Sequence, residues 1–111
     1  MAWTTLCDLT DLIEGEGHYV DIDGRELAVF LYHGRPWVME NTCPHAGGSL
    51  ASGFVEEMGG VACAVCPVHG WPFRLDNGQY YDMPGFDVRT FPARVQPQDG
   101  RQLVQADLPM P

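Results

Sequence analysis

Hydrophobic and polar positions alternate over short stretches of this chain, and turn-forming residues separate those stretches. Tyr19–Ile22 and Glu26–Tyr32 show the alternation, or the unbroken apolar run, that is typical of strands. Asp23-Gly24 stands between them, and an Asp-Gly pair is a strong signal for a two-residue hairpin turn. Pro36–Met39 follows after His33-Gly34-Arg35 and is expected to pair back onto the second strand. The pattern therefore predicts an antiparallel meander.

A second hairpin is predicted near the end of the sequence, where Val88–Gln96 and Gln102–Gln105 flank Asp99-Gly100. Between the two hairpins, the apolar run Val61–Val65 predicts a buried strand. Asp8–Ile13 has room for a single helical turn, and no longer helix is indicated. Several short strands with closely spaced turns are typical of an all-β antiparallel sandwich or barrel.

Length and charge limit the possible functions. The 111 residues are expected to form a single domain, residues 1–111. No apolar run approaches the ~20 residues of a membrane helix, and no signal peptide is visible, so a soluble cytoplasmic protein without a membrane partner is expected. Fifteen Asp plus Glu outnumber six Lys plus Arg, giving a net charge of −9. This balance argues against nucleic acid as a partner and suits a redox partner with a basic surface.

Two short loops carry the candidate chemistry, and each supplies one thiol and one imidazole. Cys43 and His45 form a C-x-H pattern, and Cys66 and His69 form a C-x-x-H pattern. A [2Fe–2S] cluster takes two protein ligands on each iron, and two His can replace two Cys on one iron. Two Cys and two His also suit tetrahedral zinc, but zinc fingers group C-x-x-C before the two His. The interleaved order favours the cluster and leaves a structural zinc-binding interaction module as the less favoured alternative.

Cys43-Pro44-His45-Ala46-Gly47-Gly48 and Cys66-Pro67-Val68-His69-Gly70-Trp71 resemble the two cluster-binding loops of Rieske [2Fe–2S] proteins. A weaker similarity includes Met83-Pro84-Gly85, which resembles the proline loop of that family. The resemblance implies a Rieske-type antiparallel β-sandwich or barrel with an inserted cluster-binding subdomain at about residues 41–85. It implies that Cys43 and Cys66 hold one iron of a single [2Fe–2S] cluster. His45 and His69 would then hold the other iron.

At four positions, this chain has a different residue from the respiratory members of that family. Gly48 and Val68 stand where those members have a disulfide-forming pair of cysteines. Trp71 and Phe73 stand where they have a Ser and a Tyr whose hydroxyls donate hydrogen bonds to cluster sulfurs. Such bonds stabilise the more negative, reduced state. We therefore expect a reduction potential near about −150 mV, at the low end of the Rieske range.

The two remaining cysteines, Cys7 and Cys63, lie in or beside strand-like segments. Both are expected to act as small core hydrophobes. Their pattern is unlike the disulfide framework of a small secreted domain, although a disulfide between them is left open.

The resemblance implies electron transfer by a carrier or an oxidoreductase subunit rather than by a complete enzyme. Oxygenases of the family need a further 2-His-1-carboxylate iron in a larger domain, and this chain is too short for one. The leading hypothesis is a soluble ferredoxin-like carrier between a flavin reductase and a terminal oxygenase. The alternative is the small subunit of an assimilatory NAD(P)H nitrite reductase, bound to its large subunit. The segments Trp3–Asp11 and Thr90–Val95, and the twenty residues between His45 and Cys66, support that alternative.

Overall fold

Short strands make up most of the regular structure. The computed structural model describes residues 3–44, 47–68, 70–82 and 85–109. The strands of these residues are β1 (Trp3–Asp8), β2 (Gly17–Ile22), β3 (Arg25–Tyr32), β4 (Arg35–Glu40), β5 (Phe54–Met58), β6 (Val61–Val65), β7 (Pro72–Arg74), β8 (Thr90–Phe91), β9 (Ala93–Gln98) and β10 (Arg101–Asp107). They form three antiparallel sheets, in the orders β1-β10-β9, β2-β3-β4-β8 and β5-β6-β7. The predicted all-β antiparallel class is confirmed.

Two-residue turns join four pairs of consecutive strands. Asp23-Gly24, His33-Gly34, Gly59-Gly60 and Asp99-Gly100 each have a positive φ at both central positions. This is the type I′ geometry, whose twist matches that of the flanking strands. The turns predicted from Asp23-Gly24, His33-Gly34 and Asp99-Gly100 are confirmed. The Glu14 carboxylate reinforces the second of these turns, because it accepts both of the turn's backbone amides at 2.6 and 3.1 Å.

Strand β3 lies between two cores. Every residue of the run Leu27–Phe30 is fully buried. Side chains alternate between the two faces of a strand. The odd-numbered residues of the run therefore join a core shared with β10, and the even-numbered residues join a second core that contains Cys43 and Cys66. Burial on both faces explains why this segment reads as an unbroken apolar run rather than an alternating one.

The prediction of one strand over Val88–Gln96 is wrong. The structure has two strands here, β8 and β9, separated by Pro92. Strand β8 pairs with β4, whereas β9 pairs with β10 in a different sheet. Proline has no N–H to donate to a strand ladder, although its carbonyl accepts the amide of Asp107 at 2.9 Å. The chain therefore changes sheets at this residue.

Helical structure is confined to single turns in the described part of the chain. The turn predicted within Asp8–Ile13 is confirmed as a 3-10 turn at Leu9–Asp11, and Asp8 and Asp11 form a capping box around it. A second 3-10 turn covers Leu50–Ser52. Among these residues, no helix has the length and apolarity required to cross a membrane.

The third sheet is inserted between β4 and β8 and is held to the second sheet by backbone hydrogen bonds. The amide of Val55 donates to the carbonyl of Gly15 at 2.7 Å, and the amide of Gly17 donates to the carbonyl of Gly53 at 3.1 Å. A side chain at Gly53 would overlap the carbonyl oxygen of Val65, the last residue of β6. This close approach fixes the position of β6, and β6 leads directly into the second Cys-His loop.

Candidate metal centre

The first Cys-His loop follows β4 and closes on itself around Cys43. The amide of Cys43 donates to the carbonyl of Gly48 at 2.9 Å, and the amide of Gly47 donates back to the carbonyl of Cys43 at 2.8 Å. Gly47 has a φ of +68°, which an L residue rarely adopts. Outside this ring, Thr42 and Ser49 form an antiparallel bridge. The two described ends of the loop, residues 43–44 and 47–48, are therefore joined by backbone hydrogen bonds beside the second core.

The second Cys-His loop repeats this construction between β6 and β7. The amide of Cys66 donates to the carbonyl of Trp71 at 2.9 Å, and the amide of Gly70 donates to the carbonyl of Cys66 at 2.8 Å. Gly70 has a φ of +72°, close to that of the corresponding glycine in the first loop. In both loops the cysteine is followed, four and five positions later, by the two residues that bond to its backbone. The two predicted thiolate ligands thus occupy equivalent places.

A third turn, after β7, has the same backbone hydrogen bonds but no cysteine. The amide of Arg74 donates to the carbonyl of Gln79 at 2.9 Å, and the amide of Gly78 donates to the carbonyl of Arg74 at 2.8 Å. Arg74 stands in the place of the cysteine, and its guanidinium binds Asp76 through two hydrogen bonds of 3.0 and 2.7 Å. The backbone pattern therefore does not depend on a cysteine at its first position. The chemistry of the first two loops comes from their side chains.

The two Cys-His loops touch each other. A Cβ added to Gly48 would overlap the Cγ2 methyl of Val68 and would lie 3.4 Å from the Sγ atom of Cys66. Cys43 and Cys66 are each 1% exposed and belong to the same buried core. The Val68 side chain occupies the space that a side chain at position 48 would take, so the two loops approach each other closely at Gly48. The structure thus brings two of the four predicted ligands together in one water-poor site.

The other two predicted ligands, His45 and His69, lie outside the described residues, as do Met83 and Pro84 of the predicted proline loop. No group of three or more potential metal-binding side chains converges within the residues that are described. Two buried thiols in equivalent, touching loops fit a two-iron cluster on the thiolate side. Assignment of the imidazole side stays a prediction from the sequence.

Cys7 and Cys63 differ from the loop cysteines in their surroundings. Cys63 is fully buried in β6, and burial raises its pKa to about 11. Cys7 lies partly buried in β1, where burial and the nearby carboxylates of Asp11 and Asp8 raise its pKa to about 11. All four cysteines of the chain are described, and no disulfide joins any of them. Both thiols stay protonated at neutral pH, as befits small core side chains.

Aromatic rings line the site next to Cys66. Phe73 is fully buried and shares the core of the two loop cysteines, and Trp71 stacks on Tyr80 with centroids 4.3 Å apart. The Tyr80 hydroxyl donates to Asp82 at 3.3 Å. Desolvation, followed by the Asp82 charge and this hydrogen bond, raises the pKa of Tyr80. Tyr80 is not among the residues predicted from the sequence, because its contact with Trp71 follows no sequence period.

Comparisons with known proteins agree with this geometry. The family model of the Rieske-like [2Fe–2S] domain matches residues 2–105. A crystal structure from Mycobacterium tuberculosis, of a candidate NADH-dependent nitrite reductase small subunit, superposes with a TM-score of 0.87. It is 32% identical in sequence, and the match covers 98% of this chain and 97% of that one.

Two curated relatives match most of this chain. The ferredoxin component of the naphthalene 1,2-dioxygenase system of Pseudomonas putida is 25% identical over 95 residues, which cover 85% of this chain and 88% of that protein. Cholesterol 7-desaturase nvd of Hemicentrotus pulcherrimus is 32% identical over 83 residues, or 74% of this chain. The match spans 17% of the length of that desaturase.

Proposed function

The chain belongs to the Rieske-like [2Fe–2S] domain family, and from that premise we propose that it transfers single electrons to a partner oxidoreductase. Its cofactor is a Rieske-type [2Fe–2S] cluster, which takes up and releases one electron when bound. The observation that carries the proposal is the contact between two equivalent loops, which places Cys43 and Cys66 in one buried core. Packing alone would not require two thiols in such loops, and a metal or cluster site would.

We assign Cys43 and Cys66 to one iron, and His45 and His69 to the other. Burial of the two thiol positions and contact between their loops support the thiolate half. The spacing of the motifs supports the imidazole half. Two thiolates and two neutral imidazoles leave the oxidised site without formal net charge, so an added electron meets less repulsion than in a four-thiolate site. An imidazole ligand also has an outer nitrogen that can hold a proton.

The proposal extends to domain organisation and location. We place the cluster-binding subdomain at about residues 41–85, within a single domain of residues 1–111. The separate β5-β6-β7 sheet, inserted between β4 and β8, supports this division. A cytoplasmic location is supported by Cys7 and Cys63, the two cysteines outside the Cys-His loops, which form no disulfide, as is usual in a reducing compartment.

Two classes of partner are supported by the relatives of this chain. The likeness to the candidate nitrite reductase small subunit of M. tuberculosis, at 32% identity over nearly the whole of both chains, favours the large subunit of a nitrite reductase. The dioxygenase ferredoxin of P. putida, at 25% identity, supports a terminal oxygenase as the second candidate. Size-exclusion chromatography of the chain expressed with each partner separates the two. Stable co-elution with the nitrite reductase subunit supports the first candidate, and a monomer that turns over only with reductase and oxygenase supports the second.

The cluster itself is tested by iron, zinc and acid-labile sulfide analysis of anaerobically purified protein, together with EPR after dithionite reduction. We expect two irons and two sulfides per chain, and a signal with the low average g value of mixed His and Cys ligation. One zinc, no sulfide and no signal would instead establish the structural zinc module.

The chain supplies matched controls for the ligand assignment. Cys43→Ser and Cys66→Ser should each lose most of the iron and sulfide, because an iron loses a thiolate ligand. Cys7→Ser and Cys63→Ala should retain the full content, because their parent thiols lie outside the two loops. Equal loss in all four variants would contradict the assignment.

A further inference from the structure

Three aromatic rings pack together at the end of the second Cys-His loop. Trp71 and Tyr80 stack face to face, with centroids 4.3 Å apart and planes 8° apart. Phe86 meets both rings edge-on, at 5.5 Å from Trp71 and 6.3 Å from Tyr80, with interplanar angles of 85° and 88°. These are the offset and T-shaped geometries that aromatic pairs prefer. We call these three residues the aromatic cluster.

The aromatic cluster connects three separate segments. Trp71 belongs to the second Cys-His loop, and its carbonyl accepts the amide of Cys66. Tyr80 follows the third turn and is 8% exposed. Phe86 lies in the connection toward β8, where the amide of Val88 donates to the carbonyl of Gly78 at 2.8 Å. The rings thus link that connection to the loop that carries Cys66.

We propose that Phe86 is a positioning residue that holds Trp71 on Tyr80 and so fixes the second Cys-His loop. Phe86 is 39% exposed, so it adds less to the hydrophobic core than a buried ring would. What it contributes is two edge-on contacts, and each aromatic pair of this kind shifts an equilibrium by roughly two- to tenfold. The inference rests on the proposed function, because the loop being positioned supplies Cys66 and His69.

Loss of the Phe86 ring should let the second loop open more often. Each opening brings water to a site whose two cysteine positions are otherwise 1% exposed. The oxidised site has no formal net charge and the reduced site carries one negative charge, so added water stabilises the reduced form more. The potential should therefore rise, and the cluster should be lost faster to a chelator.

The test compares Phe86→Ala with two matched variants. Phe54→Ala removes another exposed ring of similar accessibility, 45%, from β5. Phe86→Tyr keeps the ring and should behave like the wild type. We measure the rate of cluster bleaching in excess chelator, the reduction potential, and the rate of hydrogen exchange of the Gly70 amide. This amide donates to the backbone carbonyl of Cys66.

Phe86→Ala removes both contacts, so we expect it to bleach and to exchange the Gly70 amide roughly four- to 100-fold faster than wild type, with a more positive potential. Phe54→Ala and Phe86→Tyr should stay within twofold of the wild type. If Phe86→Ala matches Phe54→Ala in both rates, Phe86 does not position the loop. Hydrogen exchange is also measured on protein without a cluster. If the wild-type protein contains no iron or sulfide, the proposed function is wrong. The exchange rates of the Gly70 amide in Phe86→Ala and Phe54→Ala still decide whether Phe86 positions the loop.

Discussion

At the residue scale, surroundings divide the four cysteines into two pairs. Cys43 and Cys66 begin equivalent hydrogen-bonded loops and share one core, whereas Cys7 and Cys63 lie in strands and have raised pKa values. The sequence was sufficient to make this division, because the Pro, His and Gly residues around the first pair are local signals. The contact between Gly48 and Val68 leaves no local signal, since it joins loops that are distant along the chain, but the family resemblance implies it because relatives have a disulfide at these two positions.

The raised pKa of Cys7 makes its reactivity testable. A thiol with a pKa of about 11 instead of 9.0 has about 100-fold less thiolate at pH 8, and thiolate is the reactive form. We expect iodoacetamide to label Cys7 in the folded protein about 100-fold more slowly than in urea. The folded-state rate should rise about tenfold per pH unit toward pH 11, as measured by mass spectrometry. Equal labelling rates in the folded and urea-unfolded protein at pH 8 would contradict this environment.

Phe73 provides a test of the expected low potential. It is fully buried in the core of Cys43 and Cys66 and has no hydroxyl to offer a sulfur. Phe73→Tyr should raise the potential above the expected value of about −150 mV, because a new hydrogen bond to sulfur stabilises the reduced state. Protein-film voltammetry measures the change. Tyr80→Phe is the control and should leave the potential unchanged, since its hydroxyl donates to Asp82. A folded Phe73→Tyr variant with an unaltered potential would refute the argument.

At the scale of the elements, local turn signals were enough to predict three hairpins. Each has a residue that tolerates positive φ followed by glycine, and such pairs fix both turn type and register. Strand β5 was missed because Phe54–Met58 lies largely exposed and has no clear alternation. The division of Val88–Gln96 at Pro92 depends on two different partner strands, and partners that are distant in sequence leave no local pattern.

Replacing a glycine by alanine should destabilise the protein much more at Gly78, in the third turn, than at Gly60, in the turn between β5 and β6. Gly78 has a φ of +74°, and a Cβ there would overlap the carbonyl oxygen of Val88. Gly60 has a φ of +84°, but nothing lies within 4 Å of its Cβ position. Gly60→Ala should therefore cost about 1 kcal/mol from backbone strain alone, whereas Gly78→Ala should cost about 3 kcal/mol because it also disrupts the Val88–Gly78 hydrogen bond. Urea denaturation of the two variants measures the free energy of unfolding, and equal losses would contradict the crowding at Gly78.

At the scale of the whole molecule, all of the basic residues are arginines, and each is held by a specific contact. Two bind carboxylates, three lie over aromatic rings at 4.1 to 5.2 Å, and one donates to a backbone carbonyl. These six are Arg25, Arg35, Arg74, Arg89, Arg94 and Arg101. The net charge of −9 therefore belongs to a surface on which each of the six arginines has a local partner. Such a surface attracts a basic partner over roughly one Debye length, about 10 Å at 0.1 M salt.

Salt dependence then distinguishes the two partner classes. For a diffusing ferredoxin-like carrier, the second-order rate of electron transfer to a basic partner should fall at least about tenfold between ~0.02 and ~0.5 M ionic strength, because screening removes the steering. A small uncharged oxidant, used as the control, should show almost no dependence. For a permanently bound subunit, encounter is not part of turnover, so the rate of the assembled complex should stay nearly constant over the same range. If the second-order rate of electron transfer to a diffusing partner is independent of ionic strength, the acidic surface contributes to solubility and does not guide the encounter.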